Sequence, residues 1–256
     1  MGTKGRRVTA LAQRPTVADI LAADHDWYHT VTLADGVATP GEMDLRPYVD
    51  HAELPDDMTG LRALDVGSFD GFWAFEMERR GASVVGVDGD RSPWPDVPRV
   101  HAPELPVIDS LGTGFRLLKA YFGSEVERRI VTMSELSPET AGGLFDLAFV
   151  GAILLHVRDP LGTLERVRDV LVPGGRLIVM EPVDADLDEG PAADAPAARF
   201  RGQSSQISIW YPNSLCLVDW VRTAGYAEVE LLERRWFAEP SGRRQLTRTV
   251  HATNPG

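Results

Sequence analysis

Residues 64–71, Leu64-Asp65-Val66-Gly67-Ser68-Phe69-Asp70-Gly71, together with the run Ser83-Val84-Val85-Gly86-Val87-Asp88, decide how this chain folds. The first stretch reads as the end of a buried strand followed by a glycine-bearing turn. A helix comes next, and the second stretch is a strand that finishes on a carboxylate. Asp88 falls about twenty residues after the turn, where an acid can grip the paired ribose hydroxyls of an adenosine. Gly67 and Gly71 leave the backbone bare, so that ligand and helix can approach closely. The middle glycine of the dinucleotide fingerprint is missing, because Phe69 stands there and its ring would obstruct a pyrophosphate. An adenosine ligand without phosphates suits this turn better, and S-adenosylmethionine (SAM) is the first candidate.

The alternation continues outward from this point. A strand is expected near 61–66, a helix over 72–80 closed by Gly81, and a second strand over 83–87. The proline-rich stretch 90–106 reads as a surface excursion, a helix near 115–122 stops at Gly123, and a third strand follows at 126–131. The fourth strand is 145–151. Asp159-Pro160 opens a helix running to Leu171, with Asp as N-cap and Pro in the first helical position. Pro173-Gly174-Gly175 turns the chain into a fifth strand at 176–181. The stretch 184–198, rich in Ala, Pro and Asp, is expected to be a lid-like loop. Asn213 caps a helix through Ala224, and strands near 227–234 and 245–252 close the chain as an antiparallel pair. Ahead of all this, Val17, Ile20 and Leu21 mark one face of an amphipathic leading helix, and Asp35-Gly36 signals a hairpin turn.

The expected fold is therefore α/β, a Rossmann-like, mostly parallel sheet covered by helices on both faces. Residues 1–58 form an N-terminal helix and a lid or substrate-side segment. Residues 59–256 form the main domain, with loop insertions at 90–110 and 184–212. Ligands on such sheets bind beyond the carboxyl ends of the strands. Gly67, Asp88, Thr132-Met133 and Gly151 all fall at strand ends, so four segments converge on one crevice.

With 256 residues, 43% of them apolar and 25% charged, the chain has the composition of an ordinary globular protein. A net charge of -12 makes nucleic acid a poor default partner, since polyanion binding relies on Lys and Arg. The lone Cys216 forms no internal disulfide, no apolar run reaches membrane-spanning length, and cytoplasmic residence is the simple expectation. Oligomeric state is not legible.

The same residues resemble a class I SAM-dependent methyltransferase, from about Leu61 to the C-terminus. The resemblance rests on residues 65–71, Asp88, Phe145-Asp146-Leu147 and Pro173-Gly174-Gly175. It implies a seven-stranded sheet whose last strand is antiparallel. More narrowly, Leu154-Leu155-His156-Val157-Arg158-Asp159-Pro160-Leu161, Trp210-Tyr211-Pro212-Asn213 and Leu217-Val218-Asp219-Trp220 are similar to the tRNA wobble-uridine (carboxy)methyltransferase-like family and its unassigned relatives. Members that use carboxylated SAM place a tyrosine directly before the histidine, where this chain has Leu155. That departure, with the acidic charge, points to a relative acting on something smaller.

The expected cofactor contacts are Asp65, Gly67, Ser68, Gly71, Asp88, Gly89, Thr132, Met133 and Gly151. Asp65 sits under the turn, orienting the methionine amino group or capping nearby amides. Gly89 and Asp90 border the adenine, the amide of Met133 or Ser134 meets its ring, and Gly151 gives the methionine portion room. Met133 as a plain buried methionine and Gly151 as a turn glycine are the simpler readings. His156, leaving the fourth strand, is the candidate general base, with His29 its rival; an imidazole titrates near neutrality and can take a hydroxyl proton as the methyl carbon is attacked. A histidine bonded to a loop carbonyl is the alternative for His156. Trp27, Tyr28, Trp210 and Tyr211 are candidate acceptor contacts, the first two in a segment that folds over the cofactor, and core packing is the other reading for Trp210 and Tyr211. Asp184, Asp186 and Asp188 read as a solvated acidic loop, and no metal is expected. The expected reaction is methyl transfer to a hydroxyl of a small-molecule acceptor. A tRNA-modifying enzyme, a nicotinamide oxidoreductase and a non-catalytic SAM-binding protein are the alternatives.

Overall fold

Residue-by-residue alternation along each central strand sorts the core into two layers. Leu64, Val66, Ala148, Val150, Leu177 and Val179 pack on one side, while Ala63, Leu147, Phe149, Ile178 and Met180 pack on the other. Both alternate sets are apolar, so the strands are buried on both faces and read as continuous hydrophobic runs. The computed structural model describes residues 14–89, 112–201, 208–238, 242 and 244–256. The expected excursion at 90–106, Asp90 and the whole 90–110 insertion lie outside the described residues.

In chain order the elements are α1 (Val17–Leu21), β1 (Arg62–Val66), α2 (Phe72–Arg79), β2 (Ser83–Asp88), α3 (Thr113–Phe122), β3 (Glu127–Ile130) and α4 (Pro138–Ala141). There follow β4 (Phe145–Gly151), α5 (Pro160–Asp169), β5 (Leu171–Pro182), α6 (Ala185–Glu189), β6 (Ala198–Phe200), β7 (Trp210–Pro212), α7 (Ser214–Thr223), β8 (Ala227–Leu231), β9 (Arg235–Ala238) and β10 (Arg244–Thr253). The main sheet runs β3-β2-β1-β4-β5-β10-β8, with β9 pairing β10 beyond that path. Strands β3 to β5 are parallel, and β10 lies antiparallel between β5 and β8. The order reverses between β1 and β4, which leaves a crevice beyond their carboxyl ends.

Local chemistry sets the helix boundaries. Asp159 accepts the Gly162 amide at 2.9 Å with Pro160 at the first helical position, and Asn213 accepts the Cys216 amide at 2.9 Å. Gly81 and Gly123 follow α2 and α3 with positive φ, as expected of helix-ending glycines. Helices α2 and α3 share their core layer with the N-terminal segment through Ile20, Trp27, Val31 and Leu33, whereas α5 and α7 line the other layer. Phe149 is fully buried in the first layer, where truncation of such a ring to Ala costs about 3–5 kcal/mol.

Five expectations are corrected. The leading helix is one short turn capped by Thr16, and Leu21 is exposed rather than on the buried face. Strand β9 is additional, giving the main sheet eight strands. Pro173-Gly174-Gly175 lies inside β5 as a register irregularity against β4 rather than before the strand. Helix α5 stops at Asp169, so that Leu171 already pairs with Phe145. Residues 184–198 are not a bare loop. Asp184 caps α6 through the Leu187 amide, and the Asn213 side chain gathers the Ala192 and Ala195 carbonyls and the Ala197 amide. No helix among the described residues is long and apolar enough to cross a membrane.

Candidate functional site

The glycine turn is built onto the neighbouring strand. The amides of Gly67 and Ser68 both donate to the Val87 carbonyl, at 2.8 and 3.2 Å, and the Phe69 amide donates to the Asp88 carboxylate at 2.8 Å. Gly67 and Gly71 have φ of +75° and +90°, which only glycine adopts freely. Phe69 is also left-handed, at +45°, and the Asp88 bond supports that strained position. A Cβ on Gly67 would stand 2.1 Å from Ile153 Cδ1, so the chain leaving β4 covers the bare face of the turn. Arg128 reaches Asp88 at 3.9 Å and donates to the Gly89 carbonyl at 2.9 Å.

Buried carboxyls cluster here. Burial pushes Asp65 up to about 7, with the Ala74 amide opposing the shift and the nearby Asp88 charge adding to it. Burial likewise raises Asp88 to about 6 against the pull of Arg128 and the Phe69 amide. Asp65 Oδ2 and Ser68 Oγ are buried without a hydrogen-bond partner. A buried polar atom without a partner is costly in a protein interior, and two such atoms lie beside the turn.

The N-terminal segment is fastened to the turn by Asp70, a residue that the sequence reading passed over. Its carboxylate accepts the Tyr28 amide at 2.8 Å and the His29 amide at 3.1 Å, and pairs with His25 Nε2 at 3.0 Å. The result is an aromatic group of Tyr28, His29, Phe69 and Phe72, with ring centroids 4.7–6.3 Å apart. His29 is buried and its Nδ1 has no hydrogen-bond partner; burial drives its pKa down to about 4, the Asp70 charge opposing. Such an imidazole stays neutral and is a weak proton acceptor. Trp27 is corrected outright: it is 4% exposed and belongs to the core, edge-on to His25. Trp73 and Phe72 are core residues as well.

The β4 exit holds a second group. Ala152 takes a left-handed conformation at φ +53°, and beyond it the amides of Ile153 and Leu155 donate to the Glu181 carboxylate at 3.1 and 2.8 Å. The His156 amide closes on the Ile153 carbonyl at 2.9 Å, and His156 itself is half-buried. The Leu155 carbonyl accepts from both Ile209 and Trp210, at 2.7 and 3.2 Å, while Trp210 Nε1 donates to the Arg158 carbonyl at 3.4 Å. Trp210, on β7, is thus bonded to the loop that carries His156. Phe200, 62% exposed, packs on Trp210 at 5.1 Å, and the Arg201 guanidinium lies over the Tyr211 ring at 5.5 Å. A Cβ on Gly151 would stand 2.7 Å from the Phe149 ring, so packing calls for glycine there.

Thr132 and Met133 follow β3 as placed by the sequence. Thr132 opens a 3-10 turn in a capping box with Glu135, and Met133 packs partly buried against the core. The three acids of 184–188 are engaged: Asp184 pairs with Arg199, Asp186 lies 3.7 Å from the same guanidinium, and Asp188 accepts the Ser214 amide at 2.6 Å. No metal-binding group of His, Cys, Asp and Glu occurs among the described residues. A cavity of about 480 Å3 lined by Asp188, Glu233, Arg234 and Arg248 shares no residue with the crevice, and its two acids balance its two arginines.

The chain is similar to known methyltransferases. A family model described as a methyltransferase domain matches residues 44–231. The tRNA U34 carboxymethyltransferase of Stutzerimonas stutzeri is 31% identical over 181 residues, covering 69% of this chain and 48% of that protein. The ubiquinone biosynthesis O-methyltransferase of Dinoroseobacter shibae is 34% identical over 124 residues, covering 48% of this chain and 42% of that protein. The chain thus spans about half the length of the curated relatives it matches. The N-terminal domain of EvdMO1, solved with SAH (S-adenosylhomocysteine) bound, superposes with a TM-score of 0.61 at 18% identity, covering 89% of this chain and 91% of that one. A 1,6-didemethyltoxoflavin-N1-methyltransferase from Burkholderia thailandensis does so with a TM-score of 0.52 at 20% identity, covering 82% and 78%. The chain belongs to the methyltransferase domain family and has the class I SAM-dependent methyltransferase fold.

Proposed function

We propose that this chain binds SAM in the crevice beyond β1, β2 and β4 and methylates a hydroxyl oxygen of a small-molecule acceptor. The observation that carries the cofactor reading is the turn itself. A left-handed, glycine-bare backbone is hooked onto a strand that ends in a buried carboxylate, and two buried polar atoms there lack partners. These residues fit an adenosyl amino acid. Asp88 would hold the ribose hydroxyls, as a carboxylate can accept two donors at once. Asp65 Oδ2 and Ser68 Oγ would meet the polar amino-acid end, beside Gly67, whose side-chain face is taken by Ile153. Gly71, by contrast, serves packing, since a Cβ there would meet Phe75 and Phe115. Gly89, Thr132 and Met133 border the adenine side.

When bound, SAM supplies a methyl carbon made electrophilic by its sulfonium, so the protein contributes alignment, water exclusion and proton removal. Tyr28, Phe69 and Phe72 screen the turn from water. His156, half-buried on the loop that covers Gly67, takes the hydroxyl proton; the neutral, sealed His29 is the weaker base. Trp210 and Phe200 provide an apolar wall for the acceptor, with Tyr211 beside it. An aromatic wall on a chain of net charge -12 favours a small apolar acceptor over a polyanion. The free Cys216 accords with a reducing, cytoplasmic setting.

The S. stutzeri relative supports a second reading, a tRNA-modifying methyl or carboxymethyl transferase. Incubation with methyl-labelled SAM separates the readings. A panel of phenols, sugars and hydroxylated polyketides should accept label, and bulk tRNA should not. Label on tRNA would favour the second reading. SAM binding with transfer to no acceptor would favour a non-catalytic SAM-binding protein, and binding of NADH in place of SAM would overturn the proposal.

A further inference from the structure

Glu181 ends the core of β5 with 0% exposure, and its carboxyl meets backbone amides. The Ile153 amide donates to Oε2 at 3.1 Å and the Leu155 amide to Oε1 at 2.8 Å, and the Leu154 amide also acts on the carboxylate. Burial alone would favour an apolar side chain here, since an unpaired buried charge is costly. A carboxyl is needed because Ala152, left-handed at φ +53°, swings three successive amides inward, away from the strand ladder. Three converging N–H donors require a group with several acceptor sites on one short stem. Burial holds this carboxyl at about 8, the amides working against the shift.

The segment held in this way touches both halves of the proposed site. At one end Ile153 Cδ1 fills the bare face of Gly67, 2.1 Å from where a Cβ would stand. At the other the Leu155 carbonyl anchors the amides of Ile209 and Trp210, with His156 next in the chain. We propose that Glu181 is a positioning residue which, by fixing Ile153–Leu155, mechanically couples the glycine turn to the Trp210 wall, so that cofactor occupancy is felt on the acceptor side. The coupling rests on the reading of the Gly67 turn as the SAM site.

Hydrogen-deuterium exchange of the full chain with and without SAH, paired with SAH titration, tests this in the native protein and in Glu181→Gln and Glu181→Met. In the native protein SAH should slow exchange both at 67–71 and at 209–212. In Glu181→Met the response at 209–212 should vanish while that at 67–71 persists, and SAH affinity should fall about tenfold, within the range of typical site-to-site couplings. Glu181→Gln, which keeps one acceptor oxygen, should lie between the two. A native protein that binds no SAH would overturn the cofactor reading and the coupling with it. SAH binding that slows 67–71 but not 209–212 in the native protein would overturn the coupling alone. So would a Glu181→Met protein that merely melts earlier and still answers SAH at 209–212. Should Glu181→Met fail to fold, the native measurement and Glu181→Gln decide.

Discussion

Asp70→Ala removes the acceptor of three donors at once. The Tyr28 amide at 2.8 Å and the His29 amide at 3.1 Å lose their partner, as does His25 Nε2 at 3.0 Å. The Asp70 side chain is 1% exposed, so water does not take its place without a rearrangement. Each buried donor left without an acceptor costs about 1–3 kcal/mol. With two amides and one imidazole, and some relaxation of the segment, the expected loss is about 3–5 kcal/mol, a large share of a typical domain's stability of about 5–15 kcal/mol. Asp70→Asn is the control. Its oxygen can still accept both amides while its NH2 turns toward His25, so it should lose only about 1 kcal/mol. Urea unfolding gives the two values, and hydrogen exchange at 28–31 reports whether the segment has come away. If both variants lose less than about 1 kcal/mol and exchange at 28–31 is unchanged, Asp70 is not the fastening described here.

Other perturbations follow from the same geometry. A Cβ on Gly114 would stand 2.3 Å from Asp70 Oδ1 and 2.5 Å from His25 Nε2, so Gly114→Ala should destabilise by about 1–3 kcal/mol and free the same segment, as chemical denaturation will show. Replacing His29 by Leu removes a buried nitrogen without a partner, so stability should hold or rise by about 1 kcal/mol; a loss above about 2 kcal/mol would mean that Nδ1 has a partner. The raised carboxyls Glu181 (about 8), Asp65 (about 7) and Asp88 (about 6) hold their protons longer in the folded chain than in the unfolded one. The stability they contribute is therefore full below pH ~4 and is lost as pH rises through 6 to 8, by about 1.4 kcal/mol per pH unit for each group within its window. Melting temperature should fall between pH 5 and 8, and Glu181→Gln should fall less steeply. Parallel slopes would contradict the assignment.

The turn and its acid were legible in the sequence because their signals are local. Buried parallel strands appear as unbroken apolar runs, positive φ calls for glycine at 67 and 71, and Asp88 sits at a strand end that the run itself defines. The caps at Asp159 and Asn213 were legible for the same reason. Asp70 and Glu181 were not, since each works through amides far away in the chain, 42 residues in the case of Tyr28. No pattern in the sequence distinguishes a buried carboxyl that gathers amides from one at the surface. Trp27 was read toward the ligand because an aromatic run looks the same in a core as in a lid. The β6–β7 pair was not legible because the Asn213 side chain, not local propensity, arranges the chain before β6; α6 carries a local signal in its Asp184 cap but is only five residues long. Asn213 had been recognised as a helix cap, but its second role depends on a tertiary approach.

The central claim is that the crevice beyond β1 and β2 holds an adenosyl ligand through Asp88. A crystal structure of the chain grown with SAH tests it most directly. The account predicts the adenosine beside the Gly67 turn with both ribose hydroxyls on the Asp88 carboxylate. SAH bound elsewhere, for instance in the cavity beside Arg248, with the Gly67 turn still covered by Ile153 and bare of ligand, would contradict it.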